Sequence, residues 1–459
     1  MSKNIFICLA FCSIIFKIIL FIQVENDNQY MSSDSYGYID NAKSILDRGT
    51  FTSTISSKHF PETVRTPGYP LIIAIIYKVM GFDVQNVILF QIVLNILCSF
   101  FIYKICTLLR NESVGYFASI IFLLDPLTTG HIYKMLSETT FTFFFIIFIF
   151  FSIKWIKIPR AFSYPIFSGL YLSISTLIRP ITYFLIPVIS LAAINYLVSI
   201  KKNYLYIFKS LMLFLLPCLI LIGGWQIRNH LVANNGVFSQ ISSLNLIYYR
   251  VADVVCMRDN IDLDKSRKKL IGEHINHPWS FLNKYSSEKI NKKWDHISKL
   301  ILLENPLLAF KSFLRNSLNM FIGPGDSLVN YIIGGESYYL GPLGDLFRLS
   351  YKDYIEKLIA SEPMVFIYFT FSTIFLLTIY IYSFYYFYII IKEHKINQSE
   401  ILLFGLLLYF IVISSGPESY ARFRIPIMPI LCIFSSIGFE FYNNNKIEFG
   451  KKKKLNKNK

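Results

Sequence analysis

Residues 5–49 read IFICLAFCSIIFKIILFIQVENDNQYMSSDSYGYIDNAKSILDRG, and they set two segments with opposite solvent needs back to back. Ile5 to Ile22 is apolar except for Lys17, and crossing a hydrocarbon core about 30 Å thick takes roughly 20 such residues. No small-residue cleavage site follows Phe21-Ile22-Gln23-Val24, so the run reads as a retained span, not a signal peptide. Ser33 to Gly49 carries the marks of a short helix. Ser33 is the expected N-cap, Ile39, Ala42, Ile45 and Leu46 form an apolar stripe, and Gly49 is a stop. Asp34 then falls in the first turn, where unpaired amide N–H groups and the helix dipole favour negative charge. A carboxylate held at the membrane surface could take a proton from an attacking hydroxyl. Simple helix capping is the competing reading.

Outward from that stretch the chain stays apolar. Of 459 residues, 54% are hydrophobic, 17% aromatic and only 16% charged, against about a quarter charged in soluble proteins. The net charge of +16 sits largely in short runs between apolar segments and in the lysine-rich end, a distribution that reads as membrane topology and excludes nucleic-acid binding. Of the seven cysteines only Cys256 lies in a polar run, and no C-x-x-C occurs, so neither a disulfide framework nor a zinc site is expected.

Nine further apolar runs are expected to span: 84–109, 114–130, 138–156, 164–179, 182–199, 207–226, 363–391, 400–416 and 424–442. The pair 164–199 is divided at Arg179-Pro180, where proline breaks the hydrogen-bond ladder. Together with the first, the sequence predicts an all-α polytopic protein of about ten membrane helices. One set of short loops holds Lys3, Arg110, Lys154, Lys157, Arg160, Lys201, Lys202, Lys209, Lys392 and Lys395, so these loops and both termini are expected in the cytoplasm. The N-x-S triplets Asn111-Glu112-Ser113 and Asn397-Gln398-Ser399 fall on that side. Two polar regions, 23–83 and 227–362, then face outward and carry short interfacial helices. The chain divides into a membrane module over 1–226, an outward region over 227–362, last spans over 363–442 and a basic cytoplasmic tail over 443–459.

Chemistry-bearing residues collect on the outward side. Pro61-Glu62-Thr63-Val64-Arg65-Thr66-Pro67-Gly68-Tyr69-Pro70 is a rigid turn that returns to the membrane and holds Arg65 at headgroup level. A guanidinium there can grip a phosphate with two parallel hydrogen bonds. Arg179, Arg228, Arg422 and Arg424 lie at the same depth, where positive charge in short loops is normally sparse. As a group they fit a lipid-borne phosphate; singly, each fits a structural pair, with Glu418 an available partner. Glu138, which opens its span, and Asp125 are acidic groups at membrane depth, although a helix N-terminus accounts for Glu138 equally well. His59, His131, His230, His274 and His277 have no diagnostic metal spacing.

These residues, in this order, resemble the GT-C glycosyltransferases that use polyprenyl-phosphate sugars, among them protein O-mannosyltransferases and lipid A aminoarabinose transferases. The matching features are the short first span, Asp34-Ser35-Tyr36-Gly37-Tyr38, Arg65-Thr66-Pro67-Gly68-Tyr69-Pro70, Leu177-Ile178-Arg179-Pro180, Trp225-Gln226-Ile227-Arg228-Asn229 and Arg422-Phe423-Arg424-Ile425-Pro426. The resemblance implies a GT-C-type bundle in a plasma membrane, with the site facing the periplasm or exterior. It makes Asp34 the catalytic base. Arg65, Arg179 and Arg228, with Arg422 and Arg424, become carrier-phosphate contacts, and Tyr36, Tyr38 and Tyr69 line the substrate path. Several relatives have a second acidic residue directly after the aspartate. This chain has Ser35, so Glu62 or Glu138 is the candidate substitute. The resemblance leaves a divalent metal ion open, and no cofactor is assigned.

The implied reaction moves a sugar from a polyprenyl phosphate to a glycan, lipid or protein acceptor with inversion at the anomeric carbon. Two other readings stand beside it. One is a polymerase or ligase of the O-antigen type, which would place its large loops later in the chain. The other is a lipid-linked sugar flippase, which would place polar groups near the midplane of several spans, where only Lys17 stands out.

Overall fold

The computed structural model describes residues 3–23, 27–55, 58–272, 288–323, 325, 327–333, 363–393 and 396–457. Helices dominate it. Seven are long and apolar enough to cross a membrane: Lys3–Ile22 (α1), Val84–Leu109, Glu138–Lys157, Pro180–Ser199, Tyr204–Ala233, Pro363–Glu393 and Ala421–Lys446. The expected count of ten is not met by that measure, for three physical reasons. The run at 114–130 is split into Glu112–Leu124 and Pro126–Ile132, bent by 57°. Pro126 has no N–H to continue the ladder, and the Asp125 side chain accepts the Thr128 N–H at 2.8 Å to cap the second piece. Ser163–Ile178 and Gln398–Ser414 are apolar but only 16 and 17 residues long, about 25 Å at 1.5 Å per residue. A further apolar helix, Gly68–Met80, follows the Pro-Gly turn.

Local sequence explains the other breaks. The helix Ser163–Ile178 ends where Arg179 adopts an extended backbone before Pro180, as the Arg-Pro pair predicts. In Tyr204–Ala233, Pro217 sits inside the helix and a π turn follows at Leu219–Gly223, because the missing N–H shifts the bonding register. Both N-x-S triplets turn out to be helix starts. The Asn111 side chain accepts the Val114 N–H and the Asn397 side chain accepts the Glu400 N–H, each at 3.0 Å.

Lys17, the one charge within the first span, also has a structural account. The break at Asp125-Pro126 leaves the Leu123 carbonyl at an open helix end, and the Lys17 Nζ donates to it at 2.6 Å while also reaching Ser13 Oγ at 2.9 Å. The lysine therefore caps a neighbouring helix C-terminus. Tyr133 donates to the Lys17 carbonyl at 2.7 Å and ties α1 down at the same level.

The polar stretch after α1 folds onto one end of the bundle. Ser33–Arg48 (α2) is the expected short helix, with one refinement at its start and the expected stop at its end. Its N-cap is Ser32, whose N–H donates to the Ser35 hydroxyl at 3.0 Å. Its end is Gly49 at φ 63°, a conformation in which a side chain would be strained. Next comes an antiparallel hairpin that helical periodicity does not reveal, Thr52–Ile55 paired with Lys58–Pro61, with Thr52 opposite Pro61. Asp40 pins it to α2 by accepting the Thr54 N–H at 2.8 Å. Beneath this cap the core is strongly aromatic; Phe141, Phe145 and Phe148 are buried against Phe410, with the Phe145 and Phe410 rings 5.0 Å apart edge to face.

A candidate active site at one end of the bundle

The helix directions bring the start of α2, the Pro-Gly turn, the start of Glu138–Lys157, the end of Ser163–Ile178 and the segment 413–423 to a common end. A cavity of about 490 Å³ opens among them, and Asp34, Tyr38, Arg65, Ser137, Arg179 and Arg422 are on its wall.

Each side chain is placed by a local constraint. The buried Glu62 carboxylate accepts the Val64 and Arg65 backbone N–H groups at 2.8 and 2.9 Å, which sets the turn. Thr66 donates to the Ile178 carbonyl at 3.2 Å. At Gly68 a Cβ would lie 2.7 Å from the backbone of Leu177 and Ile178, so only glycine lets this turn pack against the helix that ends at Arg179. At Gly37 a Cβ would lie 2.6 Å from Arg65 Nη1, so the guanidinium occupies space that the missing side chain leaves free. Arg65 stacks on the Tyr38 ring, 4.9 Å from its centroid.

The charges interlock. Asp34 Oδ1 lies 3.2 Å from Arg65 Nη2, and Asp34 Oδ2 lies 3.3 Å from Arg422 Nη1. Deeper in, Glu138 Oε1 lies 2.6 Å from Arg179 Nη1 and 3.9 Å from Arg422 Nε. Arg422 thus stands between the two carboxylates. Arg179 also donates to Ser137 Oγ at 3.3 Å. Burial pushes the Tyr38 phenol up, and the Asp34 charge adds to that. Burial opposes the charge on Arg65, but Tyr38, Asp34 and Glu62 outweigh it and hold the guanidinium above its ordinary value.

Ser35 has a specific reason not to be acidic. Its hydroxyl is fully buried and donates to the Met135 carbonyl at 2.9 Å, a place where a carboxylate would meet a second acceptor. Glu138, not residue 35, is the acidic group that shares Arg422 with Asp34. Among the described residues no three His, Cys, Asp or Glu side chains gather into a set that could hold a metal ion.

Other expected site residues lie off the cavity. Arg228 donates to the carbonyls of Glu62, at 2.7 Å, and Phe51, and stacks on Trp225. The Phe51 carbonyl also accepts the Glu62 N–H at 3.2 Å, so this arginine braces the base of the hairpin where the chain enters the turn. Arg424 is buried and donates to the carbonyls of Met320 and Phe321 at 2.6 and 3.2 Å, an internal helix-end contact. Glu62 is bound to the turn it shapes. Tyr36 is 62% exposed on the outer side of α2, because it directly follows the buried Ser35 and so lies about 100° further round the helix. Tyr69 is buried, donates to Gln91 at 3.1 Å and meets Tyr38 edge to face. Conversely, the cavity takes in Asn245, Tyr249, Arg250 and Asp295 from the long polar region, which carries no motif around them.

Residues 64–222 match the family model for dolichyl-phosphate-mannose-protein mannosyltransferase, a stretch that includes Arg65, Glu138 and Arg179. Among curated proteins no sequence matches. In fold the chain is similar to the Archaeoglobus fulgidus oligosaccharyltransferase in the apo form, with TM-score 0.52 and 10% identity over 98% of this chain and 52% of that one. It is likewise similar to the oligosaccharyltransferase AglB from Archaeoglobus fulgidus in complex with an inhibitory peptide and a dolichol-phosphate, with TM-score 0.51 and 10% identity over 99% and 52% of the two chains. ArnT from Cupriavidus metallidurans bound to undecaprenyl phosphate matches with TM-score 0.40 and 10% identity over 95% and 60%. The chain therefore spans about half the length of these oligosaccharyltransferases. The chain is thus a multi-pass membrane protein whose fold is similar to these oligosaccharyltransferases and whose residues 64–222 match the mannosyltransferase family model.

Proposed function

We propose that this protein is a membrane glycosyltransferase that moves a sugar from a polyprenyl-phosphate carrier to an acceptor at the outer face of the membrane. The observation that carries the reading is the placement of Asp34 between Arg65 and Arg422 on a cavity shared with Arg179. Three guanidiniums around one space suit a phosphate head. Next to Arg179 the wall turns apolar, through Ile178, Pro180, Ile181 and the exposed Phe184, which suits the chain attached to such a head. The positive-inside bias puts this end outside and both termini in the cytoplasm.

In the proposed step, an acceptor hydroxyl oxygen attacks the anomeric carbon from the face opposite the phosphate. A new carbon–oxygen bond forms as the bond to the phosphate oxygen breaks, that electron pair leaves with the phosphate, and the acceptor proton passes to Asp34. Configuration inverts. Arginine charge around the departing phosphate stabilises the negative charge that develops there. The geometry also couples binding to catalysis. A phosphate entering between Arg65 and Arg422 competes with Asp34 for both guanidiniums, so the carboxylate is released to accept a proton only when the carrier is in place.

The test is undecaprenyl-phosphate binding by the full chain in nanodiscs. Arg65→Ala is expected to weaken it about tenfold or more, the equivalent of ~1.4 kcal/mol. Unchanged affinity would remove Arg65 from the phosphate site. Gly37→Ala gives an independent check. Alanine favours the helix by about 1 kcal/mol over glycine, and the atoms it meets belong to the movable end of Arg65. The variant should melt no earlier than wild type yet bind the carrier more weakly; wild-type affinity would show that the position of Arg65 over α2 does not matter.

A further inference from the structure

Residues 241–250 and 413–420 build a further part of the cavity wall, and the phosphate chemistry makes no use of it. Its polar groups are Ser242, Ser243, Asn245, Tyr249, Arg250, Ser414, Glu418 and Tyr420. None of the side chains of Ser242, Asn245 and Tyr249 hydrogen-bonds to another described residue. Glu418 is 9% exposed. Its Oε1 is held by Arg250 Nε at 2.8 Å, while Oε2 is buried and has no hydrogen-bond partner among the described residues. Arg250 is itself fixed by the carbonyls of Ile413 and Ser415 at 2.8 and 3.2 Å. Gly416 stands at φ 151°, and a Cβ there would lie 2.7 Å from Glu418 Oε2, so glycine preserves the free oxygen's position.

We infer that this wall receives the acceptor, and that the acceptor is a saccharide whose hydroxyls pair with Asn245, Ser242 and the free oxygen of Glu418 over the Tyr249 ring. The inference rests on the transferase reading and names the acceptor class that it leaves open. An apolar acceptor would strip water from these groups and leave them unsatisfied, at about 1–3 kcal/mol for each. A cationic group on a peptide would find Glu418 already neutralised by Arg250 and would have to turn to Asp295, outside this wall. A sugar meets each feature. Its hydroxyls donate to a carboxylate, its oxygens and hydroxyls match both ends of an amide, and its C–H face lies on a phenol ring.

The experiment places the full chain, in nanodiscs, on an array of immobilised saccharides and peptides, with undecaprenyl-phosphate binding measured on the same preparation. Saccharides should be retained and peptides not. Asn245→Ala and Glu418→Gln should each lower that retention about tenfold or more, while the affinity for undecaprenyl phosphate stays at the wild-type value. Should Glu418→Gln fail to fold, Asn245→Ala alone decides. Retention on peptides in place of saccharides, no saccharide retention, or retention indifferent to both substitutions overturns the inference. So does displacement of the saccharide by polyprenyl-phosphoglucose but not by undecaprenyl phosphate, which would place the donor's own sugar against this wall. A wild-type protein that binds no undecaprenyl phosphate contradicts the transferase reading instead, so the two failures are separable.

Discussion

Asp34→Asn is expected to reduce sugar transfer by a factor of about 10²–10⁴, the usual contribution of a positioned general base, while the protein remains folded and abundant. The residue is a third exposed on its side chain, and its ion pairs among the described residues are with the ends of Arg65 and Arg422, 3.2 and 3.3 Å away. An amide of the same shape keeps the α2 helix start, because the cap itself is made by Ser32 and Ser35. Carrier binding supplies the sharper discrimination. With the negative charge gone, the two guanidiniums lose a competitor to the phosphate, so undecaprenyl phosphate should bind as well as before or more tightly. Tighter binding with lost transfer identifies a base. Lost binding together with lost transfer would instead make Asp34 a scaffold for the arginines. Retained transfer would end its candidacy altogether.

Glu138→Gln should act in the opposite manner, on stability first. Glu138 is 2% exposed and lies 2.6 Å from Arg179, with Arg422 3.9 Å away. Removing one member of a buried pair leaves the other charge uncompensated, which costs about 3–5 kcal/mol. Arg179 retains 17% exposure, so water screens part of that loss and the lower end of the range applies. The expected result is a melting temperature several degrees below wild type in the same detergent, with carrier affinity falling as Arg179 and Arg422 lose their anchor. A melting temperature equal to wild type would mean that these arginines do not depend on Glu138. The contrast between the two carboxylates is itself informative: one faces the cavity and is released by ligand, the other is locked beneath it.

The features that the sequence makes legible are those encoded locally. Arg65 is readable because Pro61, Pro67, Gly68 and Pro70 force a turn around it, and the division at Arg179-Pro180 follows from the missing proline N–H. Asp125-Pro126 breaks a helix for the same reason, although the run around it is apolar enough to read as one span. Partners chosen across the chain are not legible. Arg228 and Arg65 are the same residue type at the same end, yet Arg228 serves the carbonyls of Phe51 and Glu62, which the unforeseen hairpin brings side by side. Arg424 is two residues from Arg422 but turns inward to Met320. Glu418 reads from its surroundings as a partner for some arginine. That partner is Arg250, 168 residues away in a stretch with no motif.

The family model ends at residue 222, before the whole of the wall built by residues 241–250 and 413–420. Of the charged residues around the cavity, Arg65, Glu138 and Arg179 fall within that match, while Asp34, Arg250, Glu418 and Arg422 lie outside it.

The most direct measurement is a cryo-EM structure of the full chain with undecaprenyl phosphate. The account predicts phosphate density within hydrogen-bond reach of Arg65, Arg179 and Arg422, with Asp34 no longer engaged by both Arg65 and Arg422 and the lipid chain leaving past Ile181 and Phe184. Phosphate bound at Arg228, at the opposite end of the bundle, or anywhere that leaves the Asp34 clamp as it stands would contradict it.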